Sequence, residues 1–382
     1  MTERRALRVG GVLDPSLGVV SGPATIEIEN GLVVAIGDVG GEVEEYDDLV
    51  AVPGLIDAHT HFTIETPADE RAQVGRPLEE RVLRATRFAE RMLAEGVTTV
   101  RSMGEPGWLD VRLRDAGPEL WRGPHIRAAG RIVAPTHANV SVVDAPADGD
   151  EVVVRVRQNV AQRVDWIKVY ATASSLLGNP TESYFARDEI LAIGATAARA
   201  GVPVAAHAHG GEAVDHCLDA GYTTIEHGRF LSDRQLERMA AQRTTLCATV
   251  GVNVFSDCRR TGRSLDDALL DTEQSVARAI AAGVRVIPGT DAVHGNLRFE
   301  LRALEHFGLS RANAWYAATV EAAEVLGLAD TIGRIAPGYR ADIALVAGDP
   351  LANGTLPPVA LTLLAGRIAW RASDSVRERS PA

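Results

Sequence analysis

Six side chains in this sequence have the chemical types and positions that could bind divalent metal ions: His59, His61, Lys168, His207, His227 and Asp291. His59 and His61 lie two residues apart at the end of an apolar segment that is typical of a short strand, so both imidazoles should point to the same side. Imidazole nitrogens and a carboxylate are ligands that suit Zn²⁺ or a similar transition metal. A His-x-His pair alone is a weak signal, and the alternative is two unrelated polar residues at a strand end.

Lys168 is the only lysine in the chain, and the other 38 of its 39 basic residues are arginines. Lysine can become a neutral, nucleophilic amine, whereas arginine is effectively always charged. Lys168 also lies in an apolar, strand-like segment, where a charged residue is rarely buried without a reason. We therefore expect this lysine to have a function that arginine cannot perform, although a chance survivor on the surface is the alternative.

Further polar residues could contact a substrate at the same site: His137, Tyr170, His209, Arg229 and His294. Tyr170 shares a strand face with Lys168 and could donate to a developing oxyanion, or it could belong to the core. His209 could replace His207 as a ligand, but His207 ends the apolar run and is preferred. Arg101, Arg229 and His294 could bind a carboxylate from loops, with plain solvent exposure as the alternative.

Eight strand-like segments alternate with helical patterns between residues 51 and 334. They begin near residues 53, 97, 124, 165, 202, 222, 244 and 284. Helical periodicity intervenes at, among others, 78–95, 150–162, 187–200, 211–220 and 266–282, and Ser232 is a helix cap. Such alternation predicts an α/β fold, a (β/α)8 TIM barrel. The carboxyl ends of the strands meet at one mouth of that barrel, which would bring the six candidate ligands together.

The two ends of the chain have a different pattern. Residues 1–50 and 335–382 contain short apolar–polar alternations and glycine-rich turns without helical periodicity, which predicts antiparallel strands. We expect both ends to form one small β-sandwich domain beside the barrel of residues 51–334.

Composition excludes several partner classes. The net charge of −12 argues against nucleic acid and anionic membranes as partners, and a small-molecule substrate is expected. No signal-peptide core or transmembrane run occurs, and three sparse cysteines suit a reducing compartment, so the cytoplasm is the expected location. The sequence leaves a homo-oligomer open.

The motifs resemble those of the amidohydrolase superfamily over essentially the whole chain. The resemblance rests on His59-x-His61 after Pro53-Gly54-Leu55-Ile56-Asp57, on Lys168, on His207, on Glu226-His227-Gly228 and on Gly289-Thr290-Asp291-Ala292. Ile167-Lys168-Val169 and Ala206-His207-Ala208-His209-Gly210 are similar, more narrowly, to the Xaa-Pro dipeptidase and imidazolonepropionase-related branch.

This resemblance implies a binuclear metal site. His59, His61 and Asp291 would hold one ion, His207 and His227 the other, and Lys168, carboxylated by CO₂ to a carbamate, would bridge them together with a hydroxide. The ions are expected to be Zn²⁺. Asp291 would accept the proton of the hydroxide and pass it to the leaving amine. The implied reaction is hydrolysis of a C–N amide bond in a dipeptide or N-acyl amino acid; alternatives are a cyclic amide or imide hydrolase and a deaminase.

Overall fold

A computed structural model describes residues 4–37, 42–64, 75–138, 143–173, 179–264, 267, 275–291 and 296–373, and it has a mixed α/β fold. Its strands form three sheets: one is mostly antiparallel and contains strands from both ends of the chain, and the other two are parallel. Among the described residues, no helix combines the length and the apolar character needed to cross a membrane.

The first sheet joins the two ends of the chain. It contains β1 (Arg4–Asp14), β2 (Val19–Val20), β3 (Ala24–Glu29), β4 (Leu32–Gly37), β5 (Glu44–Pro53), β14 (Ile343–Val346), β15 (Val359–Leu364) and β16 (Arg367–Arg371). The strand order is β16-β15-β14-β5-β1-β3-β4, with β2 paired to β1. The ends meet where β14 pairs antiparallel with β5. Both ends therefore belong to one sheet, and the two-layered sandwich stays a prediction.

The central segment forms all eight of the predicted parallel strands. A three-stranded sheet contains β6 (Leu55–Thr60), β7 (Val97–Ser102) and β8 (His125–Ala128). A five-stranded sheet contains β9 (Ile167–Tyr170), β10 (Val204–Gly210), β11 (Thr224–Phe230), β12 (Thr245–Cys247) and β13 (Val286–Ile287). These strands are almost wholly buried, as expected for a parallel sheet covered on both faces.

The two parallel sheets adjoin at both of their edges. Isolated bridges join Thr60 to Asp291 and Val133 to Val169. The backbone N–H of Asp291 donates to the carbonyl of His59 at 2.6 Å, and that of Val133 donates to the carbonyl of Lys168 at 2.8 Å. The named strands nevertheless form two sheets, so full closure into a barrel stays a prediction.

Helices follow most of the parallel strands. They are α1 (Leu78–Ala94), α2 (Leu109–Asp115), α3 (Glu151–Ala161), α4 (Arg187–Arg199), α5 (Glu212–Asp219), α6 (Asp233–Gln242), α7 (Val250–Thr261), α8 (Leu297–His306), α9 (Arg311–Tyr316) and, after a π-helical turn at Ala317–Glu321, α10 (Ala322–Val325). Residues 275–281 are also helical. The Ser232 side chain caps α6 by accepting the N–H of Gln235.

The helices differ from the sequence prediction in two places. The sequence did not predict α2 or α7. Of the helix expected at 266–282, the structure describes residue 267 and residues 275–281, and these are helical. Thr249 directly precedes α7, but its left-handed φ of 44° and the lack of a side-chain cap hydrogen bond make it an atypical helix start. By contrast, α1 buries Phe88, Met92 and Leu93 on one face, which is the periodicity that predicts a helix.

Candidate metal centre

His59 and His61 lie at the carboxyl end of β6, and Asp291 follows the carboxyl end of β13 by four residues. Lys168 is the second residue of β9, and His207 and His227 are the middle residues of β10 and β11, so these three lie earlier in their strands than the sequence predicted. All four histidines and Lys168 are buried, whereas the Asp291 side chain is 20% exposed. The Nε2 atoms of His59 and His61 lie 3.4 Å and 3.6 Å from Oδ1 of Asp291. Parallel strands place these ends on one side of the sheets, so residues that are distant in sequence come together.

Lys168 and the remaining two histidines complete the cluster. Nζ of Lys168 lies 3.4 Å from Nε2 of His59. The ring centroid of His227 lies 5.1 Å from that of His59 and 4.5 Å from that of His207. His59, His61 and Asp291 each have a ligand atom within 4.8 Å of the other two, close enough to share one cation.

Three of the histidines use Nδ1 to contact the protein. Nδ1 of His59 lies 2.7 Å from the Glu226 carboxylate, that of His61 lies 2.8 Å from the Gly104 carbonyl, and that of His227 lies 2.7 Å from the Thr249 hydroxyl. A carbonyl or carboxylate at Nδ1 requires the proton there, which leaves the Nε2 lone pair of His59 and His61 for a metal.

His207 has the opposite surroundings. Neither of its ring nitrogens makes a hydrogen bond of normal geometry in the described part of the chain, although the ring is buried and stacked on Tyr170 at a centroid distance of 4.3 Å. Buried polar atoms almost always have partners. The orphaned nitrogens of His207, together with the oxygen and nitrogen donors around them, fit a bound transition-metal ion.

Burial keeps these imidazoles neutral. It lowers the pKa of His61 to about 4 and holds the pKa values of His207 and His227 well below the ordinary value. Neutral imidazole is the form that binds a metal, so these rings are ready to act as ligands at neutral pH.

The two remaining ligands also have shifted pKa values. Burial lowers the pKa of Lys168 to about 8, so a neutral amine is accessible near physiological pH. Burial raises the pKa of Asp291, but the neighbouring His59, His61 and Lys168 outweigh it and hold that pKa below the usual range. Asp291 is therefore an anion under all ordinary conditions.

The backbone is unusual at the same place. His227 and Asp291 have φ values of 72° and 57°, and Thr249, which contacts His227, has 44°. Non-glycine residues rarely adopt this left-handed region, and such conformations cluster at active sites. The fold holds these residues in strained conformations that aim their side chains into the cluster.

Two of the predicted substrate residues lie against the ligands. Tyr170 stacks on His207, and the buried ring of His209 lies 4.8 Å from His207 and 5.2 Å from His227. Nδ1 of His209 has no hydrogen-bond partner within the described residues, and burial lowers its pKa to about 3. His209 therefore lies beside the candidate ligands and is a candidate substrate contact.

The other predicted substrate residues differ in placement. Arg229 is partly exposed at the end of β11, and its charge contributes to the low pKa of His209. His137 is exposed in a 3₁₀ turn and contacts the edge of the Tyr184 ring at 5.3 Å. His294 lies outside the described residues.

Arg101 corrects one expectation from the sequence. The alternatives considered for it were a carboxylate-binding or a solvated loop residue, but it lies inside β7 and is fully buried. Its guanidinium pairs with Glu226, with Nη2 3.0 Å from both carboxylate oxygens. The sequence alone did not assign a role to Glu226. Its position directly before a candidate ligand histidine was the available signal that it belongs to the site.

Comparisons with known proteins identify the family of this chain. The model of the amidohydrolase family matches residues 50–369. An imidazolonepropionase of Deinococcus deserti is 26% identical, covering 82% of this chain and 80% of the relative, and an uncharacterised protein of Mycobacterium tuberculosis is 27% identical, covering 86% and 88%. A solved Xaa-Pro dipeptidase, with methionine in its active site, is 26% identical with a TM-score of 0.86, covering 97% of this chain and all of the other.

Proposed function

This chain belongs to the amidohydrolase family and is a hydrolase acting on carbon–nitrogen bonds, and we propose that it cleaves the amide bond of a dipeptide or an N-acyl amino acid. The observation that carries the proposal is the buried cluster of neutral imidazoles, Lys168 and the Asp291 carboxylate. The resemblance to a Xaa-Pro dipeptidase in both fold and sequence supports a substrate of this type.

We assign the ligands to two divalent ions, with Zn²⁺ as the expected metal. His59, His61 and Asp291 would hold one ion, and His207 and His227 the other. Lys168 would bridge them as a carbamate, because a protonated amine between two cations would be repelled whereas a carbamate offers two anionic oxygens. The ions would supply a nucleophilic hydroxide at neutral pH and polarise the scissile carbonyl.

Asp291 is the proposed general base and acid. Its carboxylate is ionised, and it is the member of the cluster with the most open side chain. It can therefore accept a proton when the nucleophile attacks and return it to the departing amine nitrogen. Tyr170 and His209 both contact the ring of His207, where they would orient the substrate.

The substrate carboxylate has a candidate partner in Arg229. This guanidinium is partly exposed, lies two residues beyond His227, and is close enough to His209 to lower its pKa. A fixed guanidinium would favour substrates that carry a free carboxylate. His137 and His294 stay proposals as further contacts at the mouth.

We also propose the overall architecture, from the bridges between the two parallel sheets and from the sheet that both ends of the chain share. Residues 51–334 would form one (β/α)8 barrel, in which the bridges of Thr60 with Asp291 and of Val133 with Val169 close the ring. Residues 1–50 and 335–382 would form the small β-domain, of which the shared sheet is the visible part.

A second candidate is a cyclic amide or imide hydrolase, or a deaminase, which the imidazolonepropionase relative supports. An activity panel distinguishes the two. Purified protein would be assayed with Xaa-Pro and other dipeptides, N-acyl amino acids, the same compounds with an amidated carboxyl group, and cyclic imides.

The proposal predicts release of a free amino acid from substrates that carry a free carboxylate. It also predicts loss of turnover when that carboxylate is amidated. Hydrolysis of cyclic imides alone, or release of ammonia, would instead establish the second candidate. Asp291→Asn is the matched control, since it keeps the side-chain shape and removes the base; turnover by this variant at the normal rate would contradict the role given to Asp291.

A further inference from the structure

A buried ion pair lies against the Nδ1 edge of His59. Arg101 and Glu226 are both fully buried, and they come from neighbouring regions of two different sheets, β7 and β11. Glu226 contacts Nδ1 of His59 at 2.7 Å, whereas Nε2 of the same ring faces Asp291 and Lys168. The pair therefore contacts the ring on the edge opposite the candidate metal site.

The guanidinium of Arg101 is held on every side. Its Nε donates to the carbonyl of Ala58 at 2.5 Å, and Nη1 donates to the Thr224 hydroxyl at 3.0 Å. Its Cζ atom lies 4.5 Å from the centroid of the Trp166 ring. Because Ala58 directly precedes His59, Arg101 links the backbone beside this histidine to the carboxylate that contacts its ring.

The same surroundings contain a second group of potential ligands. One ligand atom each of His59, Glu226 and Cys247 lie within 4.8 Å of one another, close enough to hold a cation. The Arg101 guanidinium binds the Glu226 carboxylate there, so a cation entering this group would meet a fixed positive charge. Arg101 thus disfavours metal binding at the Nδ1 edge.

We propose that Arg101 and Glu226 are positioning residues that fix the Nδ1–H tautomer and the orientation of His59, so that only Nε2 is offered to a metal. Glu226 acts as the hydrogen-bond acceptor, and Arg101 holds its carboxylate in place. The inference rests on the proposed metal site, and its experiment separates failure of the one from failure of the other.

The first measurement is metal affinity. Glu226→Gln keeps the size of the side chain but removes its charge, and we expect Zn²⁺ to bind about 10–100-fold more weakly in a chelator competition. Asp110→Asn is the matched control: Asp110 is equally buried and accepts the backbone N–H groups of Ala129 and Gly130, but it contacts no candidate ligand. Its affinity should be unchanged.

The second measurement needs no metal. Nitrogen-15 NMR of histidine-labelled, metal-free protein reports which ring nitrogen carries the proton, and His59→Gln identifies the signal of His59. We expect the Nδ1–H form in the native chain and a mixture or the Nε2–H form in Glu226→Gln. A change in stability alone would not move this equilibrium.

An unchanged tautomer together with native metal affinity in Glu226→Gln would overturn the inference. If the single variant does not fold, the double variant Arg101→Met/Glu226→Gln removes both charges, leaves no buried charge unpaired, and is judged by the same two results. If the native chain binds no metal, the proposed function fails, and the NMR result alone decides whether Glu226 positions His59.

Discussion

At the scale of single residues, Lys168 is the side chain for which we propose a chemistry that arginine cannot perform. It is fully buried, its Nζ lies 3.4 Å from Nε2 of His59, and burial lowers its pKa to about 8. A neutral amine is the form that adds CO₂, so the surroundings favour the proposed carbamate. The buried position also excludes an ordinary role as a surface charge.

Substitutions of Lys168 should distinguish the effect of its charge on turnover from the effect of the space that its side chain fills. Lys168→Arg places a guanidinium against the ligand histidines, and we expect turnover to fall by more than about 100-fold, beyond the usual effect of residues that only support a ligand. Lys168→Ala should lose activity similarly, but added acetate or propionate should restore part of it by occupying the vacated space. Steady-state kinetics with and without the carboxylates measures both effects.

The arginine variant serves as the control for that rescue, because its side chain fills the space. Both variants should fold, since the mouth of a barrel contributes more to function than to stability. Near-normal turnover by Lys168→Arg would refute the carbamate.

At the scale of elements, the loop after β13 approaches β6 very closely. A Cβ atom added at Gly289 would lie 2.6 Å from Cβ of His59 and 2.7 Å from Sγ of Cys247. Only glycine permits this approach, which places Asp291 beside His59. The glycine of the Gly289-Thr290-Asp291 motif is therefore a steric requirement of the site.

Gly289→Ala should both destabilise the chain and disturb the metal site. We expect a loss of about 1–3 kcal/mol in the free energy of unfolding, as for other overpacked cores, and weaker metal binding because His59 must move. Denaturant titration and chelator competition measure the two effects. Gly22→Ala, where an added Cβ meets nothing within 4 Å, should change neither; a fully native Gly289→Ala would contradict the packing argument.

The start of α7 depends on a buried acid of α8. The Glu300 carboxylate accepts the backbone N–H groups of Val250 and Gly251 at 2.8 Å and 2.5 Å. Burial raises the pKa of Glu300 from 4.5 to about 8, although these two donors act in the opposite direction. Glu300 thus supports the helix that follows Thr249, the residue that contacts His227.

The contribution of Glu300 to the free energy of unfolding should therefore fall as the pH rises from about 4.5 to about 8. Between about pH 4.5 and pH 8 the folded chain keeps a proton on Glu300 that the unfolded chain has lost, so the free energy of unfolding decreases with pH there. Glu300→Gln cannot titrate and should make the decrease shallower. Urea unfolding of metal-free protein at several pH values tests this, with exposed Glu119→Gln as the control; an unchanged slope in Glu300→Gln would rule out its contribution.

At the scale of the whole molecule, one sheet joins strands from both ends of the chain, and the internal parallel strands carry or lead to the candidate ligands. The ends share a sheet through the pairing of β5 with β14, and β5 leads directly into β6, which carries His59. The terminal sheet therefore anchors the first strand of the site. This arrangement links the folding of the ends to the position of His59.

The purified chain should contain close to two divalent ions. Chelation should abolish turnover, and added Zn²⁺, Mn²⁺ or Co²⁺ should restore it, since imidazole and carboxylate ligands accept all three. Elemental analysis gives the stoichiometry, and a His207→Ala variant should lose one ion while keeping the His59 site. Full activity in a thoroughly metal-free preparation would exclude the proposed mechanism.

The sequence by itself determined the eight parallel strands, and it predicted which side chains come together near their carboxyl ends. This was possible because strand periodicity and turn residues are local, and because parallel strands must bring their carboxyl ends together. The lone lysine was also a property of the sequence alone.

Only the tertiary structure decided which groups contact the ligands. Arg101 and Glu226 are 125 residues apart and read separately as ordinary charged residues, yet they form one buried pair behind His59. The partners of each Nδ1, the left-handed backbone of His227 and Asp291, and the start of α7 on Glu300 are likewise set by neighbours from distant strands and helices. No local pattern encodes them, because each depends on packing between elements rather than on spacing within one.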